Sequence, residues 1–156
     1  MRRVDREVTE RSELLGILKG CRVCHIGMTE GNRPYVIPMN FGAEWEENGV
    51  AIYLHCAREG KKLEILRGNP NVCFEADCSH NLIEANKACG YGYEFSSVIG
   101  SGRVEILEDP TEKAHGLSCL MFHQTGKHFS FTDTETDSVS VLKIKLEDIS
   151  GKRHTG

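Results

Sequence analysis

Gly60, Lys61 and Lys62 stand where the β-forming run "IYLHCA" gives way to "KKLEIL", a stretch with helical spacing. If Gly60 opens a turn and Lys61 starts a helix, the unsatisfied N–H groups of the first turn point outward beside a positive dipole end, and two ammonium groups add charge. This is a phosphate site in outline, with glycine at the corner so that no side chain holds the anion off the backbone donors. The longer glycine-rich loop of triphosphate binders is missing, so a single phosphate is the economical reading. The plain alternative is a pair of solvated lysines in the first turn of a surface helix.

Other residues invite other chemistry. "CRVCH", residues 21–25, matches the pattern of c-type haem attachment. Read as a strand, it sends Cys21 and Cys24 to opposite faces, so a core strand is expected instead. Cys73, Cys78, His80 and Cys89 carry thiolates and an imidazole that suit zinc, but their spacings match no pair of close C-x-x-C knuckles. Partly buried, reduced cysteines are expected there, and no metal ligand is assigned. His55, at the end of a β-rich run, is either a polar group held by one hydrogen bond or a residue that orients substrate and gives up a proton. Trp45, between acidic residues, reads as a surface or interface aromatic. The tail Lys152, Arg153 and His154 is either solvated or reaches a partner chain. No catalytic triad, paired-carboxylate motif or dinucleotide fingerprint is present.

These residues need one compact scaffold. The 156 residues, 39% hydrophobic, suffice for one ordinary core, so a single domain over 1–156 is expected. A net charge of −4 offers no general attraction to nucleic acid or anionic membrane. No apolar run approaches the roughly 18 residues of a membrane span, and "MRRVDREVTERSELL" is too charged for a signal peptide, so a cytoplasmic protein is expected. Seven cysteines, an odd number, suit reduced thiols better than a disulfide framework.

The elements follow from pattern. Thr9 is placed to cap a helix with Leu14, Leu15 and Leu18 inward and Gly20 at its end. "CRVCHIGM" and "RPYVIPMNFG" read as strands joined by "TEGN", whose Gly31 can take positive φ, and a second turn, "EENG", precedes the strand "VAIYLH". Lys61 to Arg67 read as a helix closed by Gly68 and Pro70. "NVCFEAD" is a strand, residues 78–92 lack any period and read as a loop or irregular edge, and "YEFSSVIGSGRVEIL" is one long bent strand whose Gly100 and Gly102 suggest a bulge. Asp109 as cap, Pro110 and Glu112 start another helix, and "SVSVLKIKLEDI" alternates as a last strand before the basic "SGKRH" tail. About six strands with brief helices and no strand–helix alternation predict a mainly β, largely antiparallel barrel.

In succession, "REVTE", "CHIGM", "PYVIPMNFG", "IYLHCAREGKKLEIL", "NPNVCFE", "SSVIGSGRVEI", "EKAHGL" and "ISGKR" resemble the FMN-binding split-barrel proteins. The resemblance is to the pyridoxamine 5'-phosphate oxidase-like family and its nitroimidazole-resistance (Nim) group, over nearly the whole chain. It implies a six-stranded antiparallel split barrel that forms a homodimer, with FMN in a groove between protomers. Pro38, Met39, Asn40 and Phe41 would then run past the isoalloxazine ring, supplying backbone donors and acceptors and an apolar wall. His55 and Cys56 would lead to the flavin phosphate, Glu59, Gly60, Lys61 and Lys62 would hold it, and Ser97 and Val98 would reach the flavin from the partner. The chain departs from the family pattern at Ser96, where arginine is expected, and at Phe95, where tyrosine is expected.

The activity so implied is an FMN-dependent oxidoreductase, passing electrons from a reduced nicotinamide to a small oxidised acceptor such as a nitroaromatic compound, with His55 as the catalytic residue. Pyridoxamine phosphate oxidation itself is not expected, because the chain ends soon after "ISGKR" without a further substrate segment. The reading from another class is a non-catalytic barrel that holds FMN or haem for storage or sensing.

Overall fold

The computed structural model describes residues 4–47 and 49–156, so the "EENG" turn, which includes Asn48, lies partly outside the described residues. Its strands are β1 (Glu7–Val8), β2 (Val23–Glu30), β3 (Arg33–Asn40), β4 (Gly42–Glu46), β5 (Gly49–Cys56), β6 (Asn71–Ile83), β7 (Gly92–Leu107) and β8 (Ser140–His154). The helices are α1 (Arg11–Gly20), α2 (Lys61–Gly68), α3 (Pro110–Thr125) and α4 (Asp133–Asp137). All pairings are antiparallel, in the order β3-β2-β6-β7-β8-β5-β4, with β1 added beside β8.

That order puts β3 and β4 at opposite ends of the hydrogen-bonded path, yet Phe41 alone joins them. The sheet therefore has to roll into a barrel until its two ends meet. Phe41, Phe74, Ile26, Ile52, Leu54 and Ile144 fill the interior, each almost wholly shielded from solvent. The spine is β7 against β8, and its register slips between Ser101 and Gly102, leaving Glu147 as the extra residue. Gly100 is required at this bend, because a Cβ there would lie 2.5 Å from the Asp148 carbonyl oxygen.

A second, smaller core lies outside the barrel, where α3 covers Ala51, Tyr53 and Val141 with Leu117. Strand β5 is thus buried on both faces, which its nearly unbroken apolar run requires. Helix α3 starts as the sequence predicts: Asp109 Oδ1 accepts from the Thr111 and Glu112 N–H groups at 2.9 and 3.0 Å, with Pro110 in the first turn.

Several expectations are corrected. Eight strands replace the expected six, since β1 is a two-residue pairing and β4 separates from β3 at the Phe41 corner. Thr9 does not cap α1; Glu10 stands at the cap without a side-chain hydrogen bond. Residues 78–92 are strand at their start, because β6 runs to Ile83, while the expected loop is confined to residues 84–91, with a 3₁₀ turn at Ala88–Gly90, before β7. The period was hidden by a register break between Cys78 and Asn81. The "SGKRH" tail extends β8 rather than hanging free, and α4 carries a Thr132–Glu135 capping box that the sequence reading passed over.

Helix α3 approaches β4 closely at Gly42, where a Cβ would sit 2.5 Å from the Leu120 nitrogen. Gly42→Ala is expected to lower stability by about 1–3 kcal/mol through overpacking against helix backbone. Chemical denaturation measures this; an unchanged midpoint would contradict so close an approach.

Candidate functional site

The lysine pair sits where the sequence places it. Strand β5 ends at Cys56, residues 57–60 are exposed, and Gly60 at φ 136 is the cap of α2. An L side chain is strained at that φ, so the corner stays bare. The first helical bonds are donated by the Leu63 and Glu64 N–H groups to the Gly60 carbonyl at 3.0 and 3.2 Å, leaving those of Lys61 and Lys62 ahead of the ladder. Leu63, Ile65 and Leu66 are buried and fix α2 against the barrel.

The two ammonium groups differ in their surroundings. Lys61 Nζ is 3.2 Å from Glu30 Oε2, both side chains being 55% exposed, and 5.3 Å from the Tyr35 ring centroid. Lys62 Nζ points back to the barrel and lies 4.0 Å from Met39 Sδ. Burial pushes the Cys56 thiol up from its ordinary range, and the charge of Lys62 opposes that push. Lys62, Met39 and Cys56 thus join α2, β3 and β5 in one corner.

The remaining expected residues divide by face. Pro38 and Asn40 are exposed on the outside of β3, and Asn40 Nδ2 donates to the Arg22 carbonyl at 3.1 Å. Met39 and Phe41 point inward; the Phe41 ring packs edge-on against Phe74 with centroids 5.5 Å apart. Its carbonyl accepts from Gln124 Nε2 at 2.9 Å. Glu59 is exposed in the corner. His55 is exposed at the end of β5, paired across to Val141 and on the face opposite Cys56. Ser97 and the buried Val98 lie in β7, two strands from β5 and three from β3 along the hydrogen-bonded path.

Ser96 has a neighbour that the sequence reading missed. Its cross-strand partner is Arg153, and both line a cavity of about 300 Å³ with Cys78, Phe95 and His154. A guanidinium therefore stands beside the position where the family pattern expects one, supplied by β8. Arg153 Nη1 is paired with Glu13 Oε1 at 2.8 Å, Lys152 lies over the Phe95 ring, and His154 Nδ1 hydrogen-bonds the Tyr93 carbonyl. No apolar alternation continues past Ile149, so the sequence carried no local signal for this neighbour.

In "CRVCH" the strand starts at Val23, so Cys21 ends α1 and both thiols turn inward rather than to opposite faces. Cys21 Sγ donates to the Ile17 carbonyl and Cys24 Sγ to that of Met39, and burial pushes the Cys24 thiol up to about 12. Cys73, Cys78, His80 and Cys89 do not converge among the described residues; Cys73 and Cys89 are exposed and Cys78 lies beside the Ile17 carbonyl. Trp45 is half-buried beneath the Arg11 guanidinium, 4.5 Å from its centroid. Among the described residues no helix is long and apolar enough to cross a membrane.

The family profile described as pyridoxamine 5'-phosphate oxidase matches residues 10–153. The chain belongs to this family. A protein from Bacteroides thetaiotaomicron, assigned to 5-nitroimidazole antibiotic resistance, is 34% identical, with 94% of this chain and 86% of that one aligned at a TM-score of 0.80. A flavocytochrome from Azotobacter vinelandii shares the fold at 22% identity, 100% and 72% coverage and a TM-score of 0.80. An FAD- and haem-binding protein from Mycobacterium smegmatis does so at 16% identity, 97% and 74% coverage and a TM-score of 0.81. No curated protein matches the chain. Two of these relatives are named for flavin or haem, and this chain shares their fold.

Next to the Phe41 corner, the His123 ring lies tilted against the Phe41 ring with centroids 4.5 Å apart, and its Nε2–H donates to the Cys21 carbonyl at 2.9 Å. Burial pulls its pKa below the ordinary histidine value, aided by the charges of Arg22 and Lys19. The unfolded chain therefore binds the proton first, and stability present above pH about 6.5 is lost as pH falls towards the lower folded value. Melting temperatures at pH 7.5 and pH 5 should fall further apart for the wild type than for His123→Gln; equal losses would remove His123 as the cause.

Proposed function

We propose that the protein is an FMN-dependent oxidoreductase, with the observation that carries this reading being the bare, doubly cationic corner at Gly60, Lys61 and Lys62. The donor set suits a phosphomonoester: two ammonium groups and two N–H groups at a helix start, around a glycine that leaves the approach open. One such corner suits the single phosphate of FMN better than the diphosphate of FAD. Beside it, β3 pairs only with β2, so its other edge keeps backbone donors and acceptors free of the ladder for a heterocycle. Pro38, Met39, Asn40 and Phe41 stand at the end of that edge.

In the proposed site, Lys62 neutralises the phosphate from a half-buried position and Lys61 does so after releasing Glu30. Pro38 covers the ring and keeps water from one side of it. His55, at the solvent end of β5, orients the acceptor and holds the proton. Ser97 and Val98 come from a second copy of the chain, as the family resemblance implies. When bound, the flavin supplies the redox chemistry, taking a hydride from a reduced nicotinamide and passing electrons to a small acceptor, a nitroaromatic compound being the class suggested by the Bacteroides relative.

A binding protein without turnover has support from the haem- and flavin-binding relatives. Anaerobic spectroscopy separates the two. Bound flavin that bleaches with NADH or NADPH, and recovers on addition of a nitroaromatic acceptor faster than free FMN does, is expected; bound flavin that fails to do so would leave storage or sensing.

Lys61→Ala with Lys62→Ala is expected to weaken FMN binding by about 100-fold or more, since each charge-assisted contact contributes about 1.5 kcal/mol or more. Lys62→Ala alone should cost more than Lys61→Ala, whose charge is already shared with Glu30. Fluorescence titration reads both, and undiminished affinity in the double variant would remove the phosphate assignment.

A further inference from the structure

Glu75 and Asp77 alternate along β6 with the buried Phe74 and Ala76, so both carboxylates stand on the outer face of the sheet. His25 is the direct cross-strand neighbour of Glu75, and its Nδ1 lies 3.1 Å from Glu75 Oε2. One donor atom from each of His25, Glu75 and Asp77 lies within 4.8 Å of the others. Asp77 is held in turn by His80, whose Nε2 is 2.6 Å from Oδ2.

The contact with His80 needs a special backbone. In a regular strand residues 77 and 80 point to opposite faces. Here the register breaks between Cys78 and Asn81, and Ser79 takes φ 60, the one positive φ outside glycine among the described residues. The irregularity turns His80 back onto the face of Asp77, as bulges beside functional residues do.

The ordinary reading is two surface imidazole–carboxylate pairs. Two observations favour more. The chain has 19 lysines and arginines, yet among the described ion pairs neither carboxylate takes one; both take imidazoles, which offer a nitrogen lone pair as readily as a charge. Metal–nitrogen and metal–oxygen bonds of about 2.0–2.2 Å also put neighbouring donors about 3 to 3.5 Å apart, and the His25–Glu75 separation falls there.

We propose that His25, Glu75 and Asp77 bind one divalent first-row transition metal, with His80 as the residue that positions Asp77 and water completing the shell. Two carboxylates balance a dication, and an imidazole with carboxylates and no thiolate suits Zn²⁺ or a neighbour of similar hardness. The location gives the metal a task. Strand β2 joins β6 through three paired residues, His25 to Gly27, whereas β7 and β8 pair along nearly their whole length. A metal there clamps the β2–β3 hairpin, which carries Pro38 to Phe41, onto the rest of the sheet. This inference does not depend on which flavin the protein binds.

The test is a zinc titration of chelator-treated full-length protein in competition with a chromophoric chelator, with thermal melting of the same samples. One equivalent per chain is expected, with a higher melting temperature on loading. Glu75→Gln, which keeps the shape of the side chain, and His25→Ala should each weaken zinc binding by about 100-fold, and His80→Gln by about tenfold, a scale set by measured losses of supporting residues. Cys73→Ser, the preceding outward residue of β6, should leave binding unchanged. Melting of the metal-free variants checks that each folds. Zinc binding of the same affinity and stoichiometry in a folded Glu75→Gln, His25→Ala double variant, no zinc binding by the wild type, or a loss in Cys73→Ser as large as in His25→Ala would each overturn the site.

Discussion

A single residue separates β3 from β4, although the hydrogen-bonded path sets them at opposite ends of the sheet. One residue spans at most about 3.6 Å, so the sheet exists only in its rolled form. Phe41 occupies that link with its ring fully buried, edge-on to Phe74 and tilted against His123, while Gln124 from α3 donates to its carbonyl. Closure, core and the docking of α3 meet at this position. Even in the rolled sheet β3 and β4 share no ladder among the described residues, so side-chain packing at Phe41 rather than hydrogen bonding draws the two ends together.

The corner at Lys61 and Lys62 inherits its geometry from that closure. Met39 belongs to β3 and Cys56 to β5, strands that share no hydrogen-bonded ladder, and rolling brings them to either side of Lys62. The charge is therefore placed by the barrel rather than by the loop that carries it. Along the ladder Ser97 and Val98 are separated from that corner by β6 and β2 on one side and by β8 on the other.

Much of this was legible from residue patterns. The apolar run of β5, the capped start of α3, Gly31 in its turn at φ 61 and the bend at Gly100 and Gly102 each follow from local chemistry that reaches no further than a few residues. The lysine corner was legible for the same reason, since a glycine followed by two lysines at a helix start is local. What escaped notice depended on distant partners. Arg153 beside Ser96 and His25 beside Glu75 are cross-strand neighbours, 57 and 50 residues apart in the chain, and only the strand register brings them together. The irregular stretch after Cys78 misled because one residue at positive φ inverts the alternation on which strand recognition rests. The count of six strands fell short because β1 and β4 are too brief to show a period.

Glu30 at Lys61 is a resident anion, tethered to the hairpin tip and, like Lys61, half exposed to water. A terminal phosphomonoester carries close to two at neutral pH, whereas phosphates bridged within a diphosphate carry about one each. In the proposed site a dianionic phosphomonoester, carrying the larger charge, competes for Lys61 better than a monoanion does, with the Glu30 carboxylate as the group it displaces.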